Sequence, residues 1–139
     1  MKNTFRLQFE QIRKKSKDRC AIAYLRENDE IENISYGAIY DHIKMLESKL
    51  QRIGVGKADR VAIITPHSPH GVIAGVALAY IGCTAVMIDA SLPSVEIRRL
   101  LEEGDVVAVF ADVNVENQLG WETLGEYPVV DLNGEIPFV

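Results

Sequence analysis

The chain has 139 residues, a net charge of −5 and a pI near 5.2, with 47% apolar and 25% charged residues. That length can bury roughly two-thirds of its unfolded surface, enough for a real core, and the composition is that of a globular protein. The acidic balance argues against non-specific nucleic-acid binding, and no apolar run is long enough to span a bilayer.

Charge is spread unevenly. Lys2, Arg6, Arg13, Lys14, Lys15, Lys17 and Arg19 form a basic cluster, read as a solvated helix face, whereas no Lys or Arg follows Arg99. Cys20 and Cys83 are the only cysteines and form no C-x-x-C pair, so reduced, buried thiols are expected. With no apolar signal segment at the N-terminus, a cytoplasmic location without membrane or nucleic-acid partners is the expectation.

In chain order, Thr4 to Lys15 reads as an amphipathic helix with Phe5, Phe9 and Ile12 on one face. Ala21–Leu25 and Ile31–Ser35 read as the strands of a hairpin around the polar turn Glu27–Glu30. Ser35 then caps a helix whose apolar stripe is Ile39, Ile43, Leu46, Leu50 and Ile53, ended by Gly54. His42 falls on the polar side of that helix and is read as a surface residue.

The stretch from Asp59 to Leu92 is the centre of the pattern. Arg60–Ile64 is a β-branched strand, stopped by Thr65–Pro66. Ser68 offers an N-cap and Pro69 a first helical residue, where the missing N–H costs nothing. Val72–Ile81 continues as an apolar helix to Gly82, a left-handed C-cap, and Thr84–Ile88 is a second strand ended by Asp89. This is a βαβ unit with parallel strands and a right-handed crossover. Its helix is apolar nearly all round and expects cover on two sides, one from the sheet and one from a further domain. Gly71 and Gly75 read as a site of close packing on the sheet.

After Asp89, Ser94 is placed to cap a helix from Val95 to Glu103 with Ile97, Leu100 and Leu101 inward, closed by Gly104. Val106–Ala111 is a strand, Val115–Leu124 a weakly patterned helix packed through Trp121 and Leu124, and Tyr127–Leu132 a last strand. The alternation predicts an α/β fold: a three-layer α/β/α domain with a mainly parallel sheet and an N-terminal hairpin, residues 1–139 forming one domain.

Catalytic signatures are mostly absent. No G-x-x-x-x-G-K-[ST], G-x-G-x-x-G or G-x-S-x-G is present. His67 and His70 are spaced to share a helix face, yet no carboxylate or cysteine in sequence completes a metal set, so no metal site is expected. The helix start at Ser68 and the strand end at Asp89 and Ser91 lie where parallel sheets take ligands. Each also reads as an ordinary cap or turn.

Several segments resemble a known family. Ile34–Tyr40, I-S-Y-G-A-I-Y, is similar to the early L-T-Y-x-E-L motif of the adenylate-forming (AMP-binding) enzymes: acyl-CoA synthetases, peptide-synthetase adenylation domains and luciferases. Gly54–Ile64, G-V-G-K-A-D-R-V-A-I-I, resembles their G-V-x-x-G-D-R-V-A-I. Ala79–Pro93 resembles L-K-A-G-A-x-x-V-P-L-D-P-x-x-P. The likeness runs from about Leu7 to Asp112. Met87 stands where the family often has proline, and Ala58 where it often has glycine.

The resemblance implies a parent enzyme that activates a carboxylic acid with ATP and Mg2+, releases pyrophosphate, and passes the acyl group to coenzyme A or a phosphopantetheine thiol. The family's phosphate-binding loop, T-S-G-T-T-G-x-P-K-G, follows the strand that Tyr127–Leu132 resembles and does not occur in this sequence; nor do the later nucleotide-contacting segments or the catalytic lysine. No catalytic, cofactor-binding or metal residue is therefore carried over. The chain is expected to be an N-terminal subdomain, inactive alone, whose partners are the remaining subdomains. Thr65, His67, Ser68, Asp89 and Ser91 are expected at a cleft edge or subdomain interface. The alternative is a stand-alone flavodoxin-like binding or interaction module without catalysis.

Overall fold

The computed structural model describes residues 3–26, 28–66 and 69–132, apart from the side chains of Val113 and Trp121. The predicted roles of Glu27, His67, Ser68 and the Trp121 side chain therefore lie outside the described residues. The element order is α1 (Thr4–Ser16), β1 (Cys20–Leu25), β2 (Ile31–Ser35), α2 (Tyr36–Arg52), β3 (Arg60–Thr65), α3 (Pro69–Ile81), β4 (Thr84–Asp89), α4 (Ser94–Glu103), β5 (Ala108–Ala111), α5 (Val113–Leu124) and β6 (Val129–Asp131). Strands β1 and β2 form an antiparallel hairpin. The other four form a parallel sheet in the order β4-β3-β5-β6. The predicted α/β/α architecture is the one observed.

Strand register explains the two cores. Val61 and Ile63 lie beside Ala108 and Phe110, and all four face the layer made by α1, α2 and α3. Ala62, Ile64, Val109 and Ala111 face the opposite layer, where Ile97 and Leu101 of α4 and Val115 and Leu119 of α5 cover them. A strand buried on both faces needs a continuous apolar run, which is why β3 reads V-A-I-I rather than alternating.

Helix α2 begins as predicted: the Ser35 side chain accepts a hydrogen bond from the Ala38 amide at 3.1 Å. Ile39, Ile43, Leu46 and Leu50 are all buried, each worth roughly 1.5–3 kcal/mol relative to exposure. Ile53 lies beyond the helix end and is exposed. The expectation for His42 is overturned, because its side chain is 0% exposed. It sits three residues after Ile39 and four before Leu46, so it shares their flank, and that flank meets the end of β6, where Nε2 lies 2.9 Å from the Leu132 carbonyl.

The helix α3 departs from expectation in an informative way. The second cover for its apolar surface comes from α1 and α2 of this same chain, whose Phe9, Ile43 and Leu46 join Ile73, Ala74, Ala77 and Leu78 in one core. Tyr80 anchors this packing. It is fully buried, its ring meets Phe9 and Tyr40 edge-on at 6.3 Å, and its hydroxyl donates to Glu10 at 2.6 Å. Burial and that hydrogen bond push the phenol well above its ordinary pKa. The guanidinium of Arg6 lies 4.5 Å from the ring centroid and ion-pairs with Glu47 at 3.1 Å. Asn3 works at both ends of the contact. Its Oδ1 accepts from the Arg6 amide and caps α1, while its Nδ2 donates to the Ala79 and Tyr80 carbonyls of α3. Only Phe9 of the α1 face is buried; Phe5 and Ile12 remain exposed.

Smaller corrections have local causes. Helix α4 has Pro93, not Ser94, at its N-cap, with no side-chain cap bond; the Pro93 carbonyl already accepts from Ile97, so Ser94 is inside the first turn. Gly104 ends α4 in a right-handed conformation. Strands β5 and β6 are shorter than their apolar runs. Helix α5 is interrupted at Gly120, whose φ of 67° is non-helical. Cys20 is exposed rather than buried, because it opens a strand of the small hairpin, and Cys83 is partly buried; both are free thiols. Gly82 takes the expected left-handed φ, 93°. Among the described residues, no helix is long and apolar enough to cross a membrane.

Two substitutions test these local arguments. Ala58 adopts a φ of 72°, a left-handed conformation that an alanine resists by roughly 1–2 kcal/mol, and its amide is held by the Gly82 carbonyl at 2.9 Å. Ala58→Gly is expected to raise stability by about 0.5 kcal/mol in urea unfolding, after the greater unfolded-state freedom of glycine is offset. At Gly71 a Cβ would lie 2.6 Å from Thr65 Cγ2. Gly71→Ala is expected to lower stability by about 1 kcal/mol, and Thr65→Ser, which removes that methyl, to abolish the loss in a double-mutant cycle.

Candidate functional site

Parallel strands bring Thr65 and Asp89 side by side, because Thr65 of β3 is the register partner of Asp89 of β4. The two mark the carboxyl end of the sheet. Gly71 in the first turn of α3 approaches Thr65 closely, as the Gly-x-x-x-Gly pattern implies, whereas Gly75 faces open space. Between them lies a groove of about 520 Å³ lined by Thr65, Pro66, Gly71, Val72, Met87, Ile88 and Asp89. Its walls are mainly apolar. The one charge among these residues is the Asp89 carboxylate.

Asp89 and Ser91 are brought together, and their geometry is that of a locked turn. The Asp89 Oδ1 accepts from the Ser91 amide at 2.9 Å and from the Ser91 hydroxyl at 2.8 Å. These bonds hold the carboxyl below its ordinary pKa, the backbone bond most strongly. Thr65 donates its hydroxyl to the Pro66 carbonyl at 3.0 Å. His67 and Ser68 lie outside the described residues. At the other end of β3, Asp59 makes the same kind of lock: its Oδ2 accepts from the Gly56 amide at 2.9 Å and fixes the connector from α2. The acidic residues of the recognisable motifs thus shape turns.

The other half of the sheet's carboxyl end carries a cluster that sequence reasoning missed. His42 of α2 and His70 of α3 face each other with ring centroids 5.8 Å apart, and His42 Nε2 lies 2.9 Å from the Leu132 carbonyl at the end of β6. The available signal was the position of His42 between Ile39 and Leu46; its partner at Leu132 is ninety residues away and invisible to local periodicity. Among the described residues, no grouping of three or more His, Cys, Asp or Glu side chains is arranged to hold a metal ion.

The outer side of the groove is the free edge of β4. Ala85 and Met87 share the α3-facing side of the sheet with Val61 and Ile63 by register, yet α3 leaves them uncovered: Met87 is 64% exposed. Beside them Val72 is 51% exposed and Ala79 is exposed, with Gly75 and Val76 half-buried, a narrow apolar stripe left open on α3. The β4 edge carries no Lys or Pro to discourage pairing.

Known proteins place this geometry. The sequence profile of the AMP-binding enzyme family matches residues 9–134. Acetyl-coenzyme A synthetase 1 of Candida albicans is 30% identical over 121 residues, 84% of this chain and 17% of that protein. The acetyl-coenzyme A synthetase of Emericella nidulans is 31% identical over 119 residues, with the same shares. The chain thus spans about one-sixth of the length of these relatives. In fold it is similar to a fatty acyl-adenylate ligase of Legionella pneumophila solved with acyl adenylate and pyrophosphate, at a TM-score of 0.82 and 19% identity over 99% of this chain and 24% of that one. It is also similar to the NpsA N-terminal subdomain of Klebsiella oxytoca, at a TM-score of 0.69 and 22% identity over 96% of this chain and 34% of that one. The chain belongs to the AMP-binding enzyme family.

Proposed function

We propose that this chain forms the N-terminal α/β subdomain of a larger ATP-dependent acid–thiol ligase, in which it is a structural wall and not the catalytic part. The observation that carries the reading is the family match across residues 9–134 in a chain that spans 17% of its acetyl-coenzyme A synthetase relatives. The site geometry supports it. The groove beside Thr65 and Asp89 offers no cation among its described lining residues to meet a triphosphate, and its acidic group is committed to a turn.

In the proposed enzyme, a carboxylic acid attacks the α-phosphorus of ATP, pyrophosphate leaves, and the acyl adenylate then gives its acyl group to a thiol. Mg2+ would neutralise the triphosphate, and coenzyme A or a phosphopantetheine arm would supply the thiol. The groups for this chemistry belong to the remaining subdomains, which are this chain's partners. Thr65, His67, Ser68, Asp89 and Ser91 are proposed as cleft-edge or interface residues. The apolar stripe at Val72 and Ala79, with Ala85 and Met87 of the β4 edge, is proposed as the face that the remaining subdomains cover. The relatives named as acetyl-coenzyme A synthetases make a short-chain acid the first substrate to test.

ATP–pyrophosphate exchange tests the proposal. With ATP, Mg2+ and acetate or a homologous short acid, the 139-residue chain is expected to stay at the enzyme-free background, and a natural protein carrying the remaining ligase sequence is expected to exchange. Acid-dependent exchange by the 139 residues alone would overturn the reading.

A further inference from the structure

The two edges of the main sheet are finished differently. The strand order β4-β3-β5-β6 leaves β4 and β6 outermost. At β6, the Leu132 amide donates to Ala111 of β5 at 3.2 Å, so alternation turns the backbone groups of Asp131 away from the sheet. The outward Asp131 carbonyl lies 3.5 Å from Lys49 Nζ of α2, and His42 of the same helix reaches the next carbonyl, Leu132, at 2.9 Å. A lysine on an edge is one of the devices that discourage another strand from pairing there.

Strand β4 carries no such device. Among the described residues it pairs with β3 alone. The Thr84 amide donates to the Asp59 carbonyl at 2.8 Å, which sets the phase of the strand. The N–H and C=O groups of Thr84, Val86 and Ile88 therefore point to β3, and those of Ala85 and Met87 point outward. Both outward residues are exposed. We propose that the β4 edge is extended by a β-strand from the remaining ligase chain, paired with the backbone of Ala85 and Met87.

The surroundings of the edge favour a strand over a helix or a loop. Covering it without pairing would bury the N–H and C=O of Ala85 and Met87 unsatisfied. A helix spends its own backbone groups internally, whereas an added strand meets both residues in one register. The space beside the edge suits the side chains of such a strand. On the α3 side Met87 is 64% exposed and Val72 51%, and the groove of about 520 Å³ lies between them. Ala79, also exposed, continues the open stripe of α3. Every second side chain of the added strand faces this apolar lining, so those positions are apolar. The proposal rests on the ligase reading, because the match spans 17% of the Candida albicans relative and a chain of that length has ample sequence to supply the strand.

Residue-resolved hydrogen exchange tests it, on the 139-residue chain and on a natural protein carrying the remaining ligase sequence. In the short chain the Ala85 and Met87 amides should exchange freely, while Val86 and Ile88, bonded to β3, are protected. In the longer protein Ala85 and Met87 should slow at least about a hundredfold, corrected for intrinsic rate, with Val86 and Ile88 still protected. Met87→Pro removes an N–H that β3 does not use. It should leave the short chain folded, with Val86 and Ile88 protected, and return Ala85 to fast exchange in the longer protein. If the longer variant fails to fold, the wild-type comparison alone decides. Fast exchange at Ala85 and Met87 in the longer protein would overturn the strand and leave a helix or loop as the cover. Protection of both amides already in the short chain, with a doubled mass in solution, would also overturn it and mark a second copy as the occupant. ATP–pyrophosphate exchange by the same longer protein separates the two readings. Activity with open Ala85 and Met87 amides refutes the strand and leaves the ligase; protected amides without activity leave the strand and count against the ligase.

Discussion

The structure depends on burying a helix that has no polar face. Helix α3 is apolar nearly all round, and a helix of that kind is unstable against water on any side. The sheet takes one side through Val61 and Ile63. Helices α1 and α2 take most of the rest, and Tyr80 shows how specific that cover is. A phenol buried here needs an acceptor, which Glu10 provides, and its ring is boxed by Phe9, Tyr40 and the Arg6 guanidinium. Asn3 then ties the start of α1 to the last carbonyls of α3, so that two helix ends share one side chain. Through these contacts the N-terminal helix, remote in sequence, becomes part of the central βαβ unit.

What the chain leaves uncovered is as specific as what it buries. The opening lies along one flank, where the last apolar stripe of α3 meets the unpaired edge of β4 at Met87. An edge strand without lysine or proline is normally masked in a native protein. The chain belongs to the AMP-binding enzyme family and its match spans 17% of the Candida albicans relative, which is the ground on which that flank is proposed as a face for the rest of a larger enzyme. The acidic positions of the motifs serve a nearer purpose: Asp59 and Asp89 each fold back on a backbone amide and fix the loops at opposite ends of neighbouring strands.

The layers were legible because the hydrophobic period changes cleanly along the chain. Continuous apolar runs gave β3 and β4, and the four–three spacing of Ile39, Ile43, Leu46 and Leu50 gave α2. The Ser35 cap and the Gly82 turn were legible because their chemistry is local. The family was legible from motif order, and Ala58, which stands at the glycine of the resembled motif, adopts a left-handed φ of the kind glycine takes most easily. What could not be read depends on partners distant in sequence. His42 looked like a polar-face residue until β6 arrived ninety positions later to accept its hydrogen bond. The cover of α3 looked like the task of another domain because nothing local marks Phe9 and Tyr40 as the partners of Tyr80. At the candidate site, the Thr65–Asp89 pairing follows from parallel register, but their use in turns appears only with the hydrogen bonds in view.

The central claim is that the α3–β4 flank is the face on which the rest of a larger ligase sits. Methionine oxidation reads that face directly, because Met87 lies on it and the half-buried Met45 of α2 packs inside the chain as an internal reference. Treated with dilute hydrogen peroxide and followed by peptide mass spectrometry, Met87 should oxidise readily in the 139-residue chain and at least about tenfold more slowly in a natural protein carrying the remaining subdomains, with Met45 unchanged between the two. Equal Met87 oxidation rates in the two proteins would contradict the account.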